Sequence, residues 1–169
     1  MTQELKLHLT DPQAIETKLQ SLGAIFIDET NFTDTYFNQP EGEVFKITYN
    51  NKGYFLVQLK RTPQGTFDTI KNQKIDNADD VKAEMGNEYG IKCILEGKRK
   101  NYSLNNFTYT ITTINQRGTF LIITGESPTQ ALVTMELGIA NPEYITVSFD
   151  NLPIIGATTP AQPSPASSQ

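Results

Sequence analysis

Residues 4–9 read Glu4-Leu5-Lys6-Leu7-His8-Leu9. A β-strand sends successive side chains to opposite faces, so Leu5, Leu7 and Leu9 share one face and Glu4, Lys6 and His8 the other. A charged face ordinarily meets water. In this chain the alternation returns on later strands, and the residue it repeats is lysine or arginine. The pattern points to an apolar outer face under helices and a polar, mostly basic interior that holds an anion.

Composition narrows the classes. The chain has 169 residues, 14 Lys and Arg against 19 Asp and Glu, and a net charge of −5. That length suits one domain with or without a tail. The acidic balance argues against direct, sequence-independent nucleic-acid binding, which needs a basic footprint. Cys93 has no second cysteine to pair with, and His8 is the only histidine. A disulfide, a zinc site and a Ser-His-Asp triad are therefore not expected. No apolar run approaches 18 residues and no signal-peptide pattern opens the chain, so a soluble cytoplasmic protein with no membrane partner is expected.

Turn and cap residues divide the rest. Asp11-Pro12 starts a helix with an N-cap and a proline at its first position; Ile15, Leu19 and Leu22 give its apolar stripe and Gly23 stops it. Ala24 to Asp28 reads as extended and Asp34 to Asn38 as a short strand. Val44 to Tyr49 and Tyr54 to Arg61 form a hairpin across Asn50-Asn51-Lys52-Gly53. Phe67 to Ile75 follows, then a weak acidic helix over Asn77 to Glu88. Ile91 to Tyr102, Phe107 to Ile114 and Phe120 to Thr124 are strands linked by Asn-rich turns. Ser127-Pro128 opens a further helix with Ala131, Leu132, Met135 and Leu137 as its apolar set. Residues 1–153 form the domain, and 154–169, rich in Pro, Ala, Ser and Thr, read as a disordered tail.

The sum is an α+β protein: about eight mostly antiparallel strands with flanking helices. Eight such strands can close into a barrel wide enough for a small ligand.

The motif order resembles the CYTH, or triphosphate-tunnel, family, which includes class IV adenylate cyclases and thiamine triphosphatases. Glu4-Leu5-Lys6 stands for the end of its opening Glu-x-Glu-x-Lys, and Leu22-Gly23-Ala24 for its helix end. Asp34-Thr35-Tyr36-Phe37 matches its Asp-Thr-Tyr-Phe strand. Lys46-Ile47-Thr48 stands for Arg-x-Arg, and Leu59-Lys60 for Leu-Lys. Lys98-Arg99-Lys100 with Tyr102 matches a basic strand. Gly118-Thr119-Phe120 and Ser148-Phe149 with Leu152 close the series, which covers roughly residues 2–152.

The resemblance implies a tunnel in which basic side chains hold a triphosphate and carboxylates hold divalent metal. Most of those carboxylates are replaced here: Thr2, Thr112, Ile122 and Thr124 stand at acidic positions, and Lys71-Asn72-Gln73-Lys74 replaces a Glu-rich strand. Glu4 remains. The basic set is kept, so phosphate capture without catalysis is expected. Its candidates are Lys6, Lys46, Lys60, Arg61, Lys98, Arg99, Lys100 and Arg117, with Lys71 and Lys74 as extras. Tyr36, Tyr102, Asp34 and Glu4 are candidates for stacking or polar contact with a base. No catalytic residue, no metal ligand and no cofactor are expected; Mg2+ or Mn2+ enters only if the chain is a triphosphatase or cyclase with a rearranged site. The expected role is a regulatory protein that senses a phosphorylated nucleotide, a cyclic dinucleotide such as cyclic di-GMP being the favoured ligand, and relays it to a protein partner. A homodimer is compatible with that role. The third reading is an interaction module with no small ligand.

Overall fold

The computed structural model describes residues 1–155. Strand β1 (Thr2–His8) leads into helix α1 (Pro12–Ser21) and the long strand β2 (Ile25–Phe37). Strands β3 (Glu43–Asn50), β4 (Gly53–Arg61) and β5 (Phe67–Ile75) follow as a meander, then helix α2 (Ala78–Tyr89). Strands β6 (Ile91–Leu104), β7 (Phe107–Ile114) and β8 (Gly118–Glu126) form a second meander. A two-residue strand β9 (Glu143–Tyr144) lies beside β1.

The sheet order is β5-β4-β3-β2-β6-β7-β8-β1-β9, and a further β1–β5 pairing closes β1 to β8 into an eight-stranded barrel. Every pairing is antiparallel. Closure leaves none of these strands with a full unpaired edge, the feature that would otherwise invite association. The turns are those the sequence marks. Asn50 pairs with Gly53 across a two-residue turn. Asn105 and Asn106 both take positive φ (51° and 67°), the geometry of the hairpin turn that asparagine tolerates best.

Helix α1 begins as expected: the Asp11 carboxylate accepts from Ala14 N at 3.1 Å, with Pro12 at the first position. Its Ile15 and Leu19 pack on Leu5, Leu7 and Leu9, with Tyr102, Leu121 and Ile123 beside them. Leu7, Leu19 and Leu121 are fully buried, each contributing about 1.5–3 kcal/mol relative to exposure. The leucine face of the opening strand is thus the outer face, under a helix. Leu22 lies at the C-cap and is 39% exposed, so the helix stripe ends one turn earlier than the spacing predicts.

Two element readings need correction. The segments at 24–28 and 34–38 are one strand, because β6 offers a 14-residue partner and a bulge near Ile27 absorbs the change of register. The helix after Ser127-Pro128 is a single π turn, Leu132–Glu136. Its wider winding bonds Leu137 N to Leu132 O and buries Val133, leaving Met135 82% exposed rather than in the apolar set. The tail expected over 154–169 lies, from residue 156 on, outside the described residues. No described helix is long and apolar enough to cross a membrane.

Candidate functional site

The barrel interior has two halves. One is apolar: Phe32, Tyr36, Val44, Leu59, Phe67, Leu95, Ile114, Phe120 and Phe149 pack together there. Phe149, on a one-turn 3-10 helix (Phe149–Asn151), seats this plug. Arg117 donates to Leu152 O and holds the same segment from outside. The interior is therefore not basic throughout, as the alternation predicts, but basic over one half.

The polar half is a cavity of about 240 Å³ lined by Glu4, Lys6, Lys46, Thr48, Asn50, Phe55, Val57, Asn72, Arg99, Asn101, Thr110, Ile122, Thr124 and Phe149. Lys6, Lys46 and Arg99 come from β1, β3 and β6, and each is inward by the parity of its strand. The register explains the convergence: Asp34 on β2 lies opposite Thr48, two pairs beyond Tyr36 and Lys46 and so on the same face. Arg99 faces Thr30 on one side and Thr112 on the other.

Asp34 organises two of these cations. Its Oδ2 accepts from Lys46 Nζ and from Arg99 at 2.9 Å each, and the residue is 1% exposed. Burial pushes its carboxyl up, but the Arg99 guanidinium and the Lys46 ammonium outweigh that and hold it at about 2. The Arg99 guanidinium also lies on the Phe32 ring, 3.8 Å from its centre.

Lys6 is held differently. Its ammonium sits over the rings of Phe67 and Phe149, 4.3 and 4.4 Å from their centres, and 3.7 Å from Glu4 Oε2. Burial, together with the charges of Lys46 and Arg99, outweighs the Glu4 carboxylate and lowers its pKa to about 8. Glu4 Oε2 accepts no hydrogen bond. At the mouth, Asp28 joins Lys52 at 2.9 Å and accepts from Asn101 at 2.7 Å, and Asn101 in turn accepts from Thr110 at 2.6 Å.

The other candidate residues lie elsewhere. Lys60 is exposed on the outer face. Lys98 points outward to Glu29 at 3.4 Å, and Lys100 to Glu16 at 3.1 Å. Tyr102 is also outside, donating to the same Glu16 at 2.6 Å under α1. Parity makes this inevitable once Arg99 is inside. Arg61 sits at a rim, bound to Glu41 and to Thr146 O. Tyr36 is at the apolar end, its hydroxyl 3.5 Å from Lys46 Nζ, so it offers no open face to a base. Lys71 and Lys74 are exposed. Phe55, Asn101 and Thr110 line the cavity without belonging to any motif, and Asn72 and Thr124 line it at positions marked only as lost carboxylates; the strand parity that marks Lys6 and Arg99 marks them too.

The residues do not compose the metal centre that the resemblance implies. Among the described residues no three His, Cys, Asp or Glu side chains group as they would around an ion. Asp34 is committed to two cations, and Glu4 has no carboxylate partner in the cavity.

The closed antiparallel barrel is shared with solved structures. A conserved hypothetical protein from Pyrococcus furiosus superposes with a TM-score of 0.75 at 19% identity, over 90% of this chain and 99% of that one. A protein from Pyrococcus horikoshii gives 0.74 at 19% identity, over 90% and 99%. An adenylyl cyclase candidate from Hippeastrum, described as having a dominant triphosphatase activity, gives 0.58 at 16% identity, over 88% and 92%. At such identities the likeness establishes the fold. No family model matches the chain. No curated protein matches it either.

Proposed function

We propose that the protein binds a phosphorylated small molecule in the polar half of the tunnel, with Lys6, Lys46 and Arg99 as its cationic contacts. One observation carries this: three cations from three separate strands converge on one cavity whose remaining polar wall is Thr and Asn with the single carboxylate of Glu4. Such a wall supplies both donors and acceptors, and the cations supply the charge-assisted bonds that phosphate takes best. In this reading the protein is a receptor, its occupancy passed on to a protein partner.

A cyclic dinucleotide is the finer form of the proposal. Sites for drug-sized ligands run about 300–1,000 Å³. A cavity of about 240 Å³ takes one phosphate with its immediate neighbours, leaving the rest of such a ligand outside the mouth near Phe55. Calorimetry against orthophosphate, tripolyphosphate, nucleoside triphosphates, cyclic mononucleotides and cyclic di-GMP tests the reading. Binding weakened at least tenfold by Arg99→Ala is expected. No heat with any phosphorylated compound overturns it. Recovery of one partner protein only when ligand is present tests the relay.

Hydrolysis is the second reading, favoured by the surviving Glu4 and by the activity described for the Hippeastrum protein. Phosphate release from triphosphates with Mg2+ or Mn2+, abolished by Glu4→Gln, would establish it in place of the receptor reading.

A further inference from the structure

We infer that the cavity is matched to a phosphate of single negative charge that also carries hydrogen-bond donors, a phosphodiester nucleotide, and that it discriminates against tri- and polyphosphates. The inference rests on the reading of the tunnel as a phosphate site.

Two observations carry it. The first is charge. The interior holds Lys6, Lys46 and Arg99 against Glu4 and Asp34, three cations and two carboxylates, leaving one positive charge in surplus. The charges around this set are already balanced: Lys52 with Asp28 at the mouth, and Lys92 with Asp150 at 2.7 Å behind Lys6. Lys74, opposite Phe55 on the neighbouring strand, is exposed, and water screens it. A monoanion would bring the interior to neutrality. A triphosphate would bring several charges more than the walls can answer, and uncompensated charge is costly wherever the walls take it out of water.

The second is the direction of the hydrogen bonds. Glu4 lines the cavity; its Oε2 is buried 3.7 Å from the Lys6 ammonium, and it accepts no hydrogen bond. An ionised carboxylate only accepts, so it repels bare phosphate oxygens and favours a ligand hydroxyl or N–H. A nucleoside phosphodiester brings sugar hydroxyls and base N–H groups together with its one charge. The amides of Asn50, Asn72 and Asn101 can both donate to and accept from a base edge, and Phe55 offers an aromatic face beside them.

The test is calorimetry at fixed ionic strength with a chelator present, so that no divalent cation neutralises the longer phosphates. The probes are 3′,5′-cyclic AMP, 3′,5′-cyclic GMP, ATP and tripolyphosphate. Wild-type protein is expected to bind at least one cyclic mononucleotide ten times or more tighter than ATP or tripolyphosphate. Glu4→Gln adds a positive charge to the surplus at a partly exposed position, so it should shift the ratio toward tripolyphosphate by at least fivefold. A smaller wild-type preference overturns the inference, as does a ratio unmoved in a folded Glu4→Gln variant. Tight tripolyphosphate binding that depends on Arg99 would sink this inference and leave the phosphate site standing. Absence of binding to all four probes would sink this inference, and absence of binding to cyclic di-GMP and orthophosphate as well would sink the phosphate site with it.

Discussion

Asp34 Oδ2 is shared by Lys46 Nζ and the Arg99 guanidinium, each at 2.9 Å, at a position 1% exposed. Removing one member of such a cluster leaves charge buried without a partner. Asp34→Asn is expected to cost about 3–5 kcal/mol, measured by urea or guanidinium unfolding. A loss below 1 kcal/mol would mean that water reaches both cations.

The same carboxylate sets an acid limb. Its native pKa of about 2 lies below the ordinary value of 3.8. A lowered carboxylate pKa stabilises the fold above the unfolded value and loses that stability as pH falls through the native one. The loss attributable to Asp34 should therefore run from about pH 4 to about pH 2 and amount to about 2 kcal/mol. The pH dependence of the unfolding midpoint, compared between wild type and Asp34→Asn, reads it directly.

Lys6 gives a slope of the same sign at the alkaline end, because burial disfavours its charged form. Its native pKa is about 8 against 10.5 when unperturbed. Between those values the unfolded chain holds the proton and the folded chain does not, so stability rises with pH from about 8 to 10.5. The Lys6 contribution to that rise is about 3 kcal/mol, and Lys6→Met should lack it. Anion binding should weaken over the start of the same range, as the ammonium loses its charge. Identical pH profiles for the wild type and Lys6→Met would refute the assignment.

Inside and outside of β6 separate by function. Arg99→Ala should weaken ligand binding at least tenfold, whereas Lys98→Ala and Lys100→Ala should leave it within twofold. The reason is placement: Lys98 and Lys100 pair with Glu29 and Glu16 outside the barrel. Equal effects of all three would mean that the outer face, not the tunnel, takes the ligand.

Gly97 marks a tight crossing. A Cβ there would lie 1.9 Å from Thr113 O and 2.9 Å from the Phe32 ring. Backbone cannot yield as a flexible side chain can, so Gly97→Ala should destabilise by about 3 kcal/mol or more, seen as a fall in Tm. The neighbouring Phe32 carries Arg99 on its face, so ligand affinity should fall as well.

Much of the fold was legible in the chain. Alternation in residues 4–9, the Asn-rich turns and the cap at Asp11-Pro12 act over a few residues, and local backbone geometry is enough to enforce them. The helix expected near Met135 shows the limit. One π turn shifts which side chains face the core, and nothing in the spacing of Ala131, Leu132, Met135 and Leu137 announces it.

The sequence by itself determined which residues share a face: Glu4 with Lys6, Arg99 apart from Lys98 and Lys100, the leucines of β1 together. It could not determine which charges meet. Asp34 stands 12 residues from Lys46 and 65 from Arg99. Pairing of β2 with both β3 and β6 brings the three together, and barrel closure removes them from water. Coulomb energy depends on distance through space and on burial, and both are set by strand register rather than by spacing along the chain. The basic tunnel that the sequence implies therefore becomes, in the folded molecule, a nearly neutral one with a single positive charge to offer.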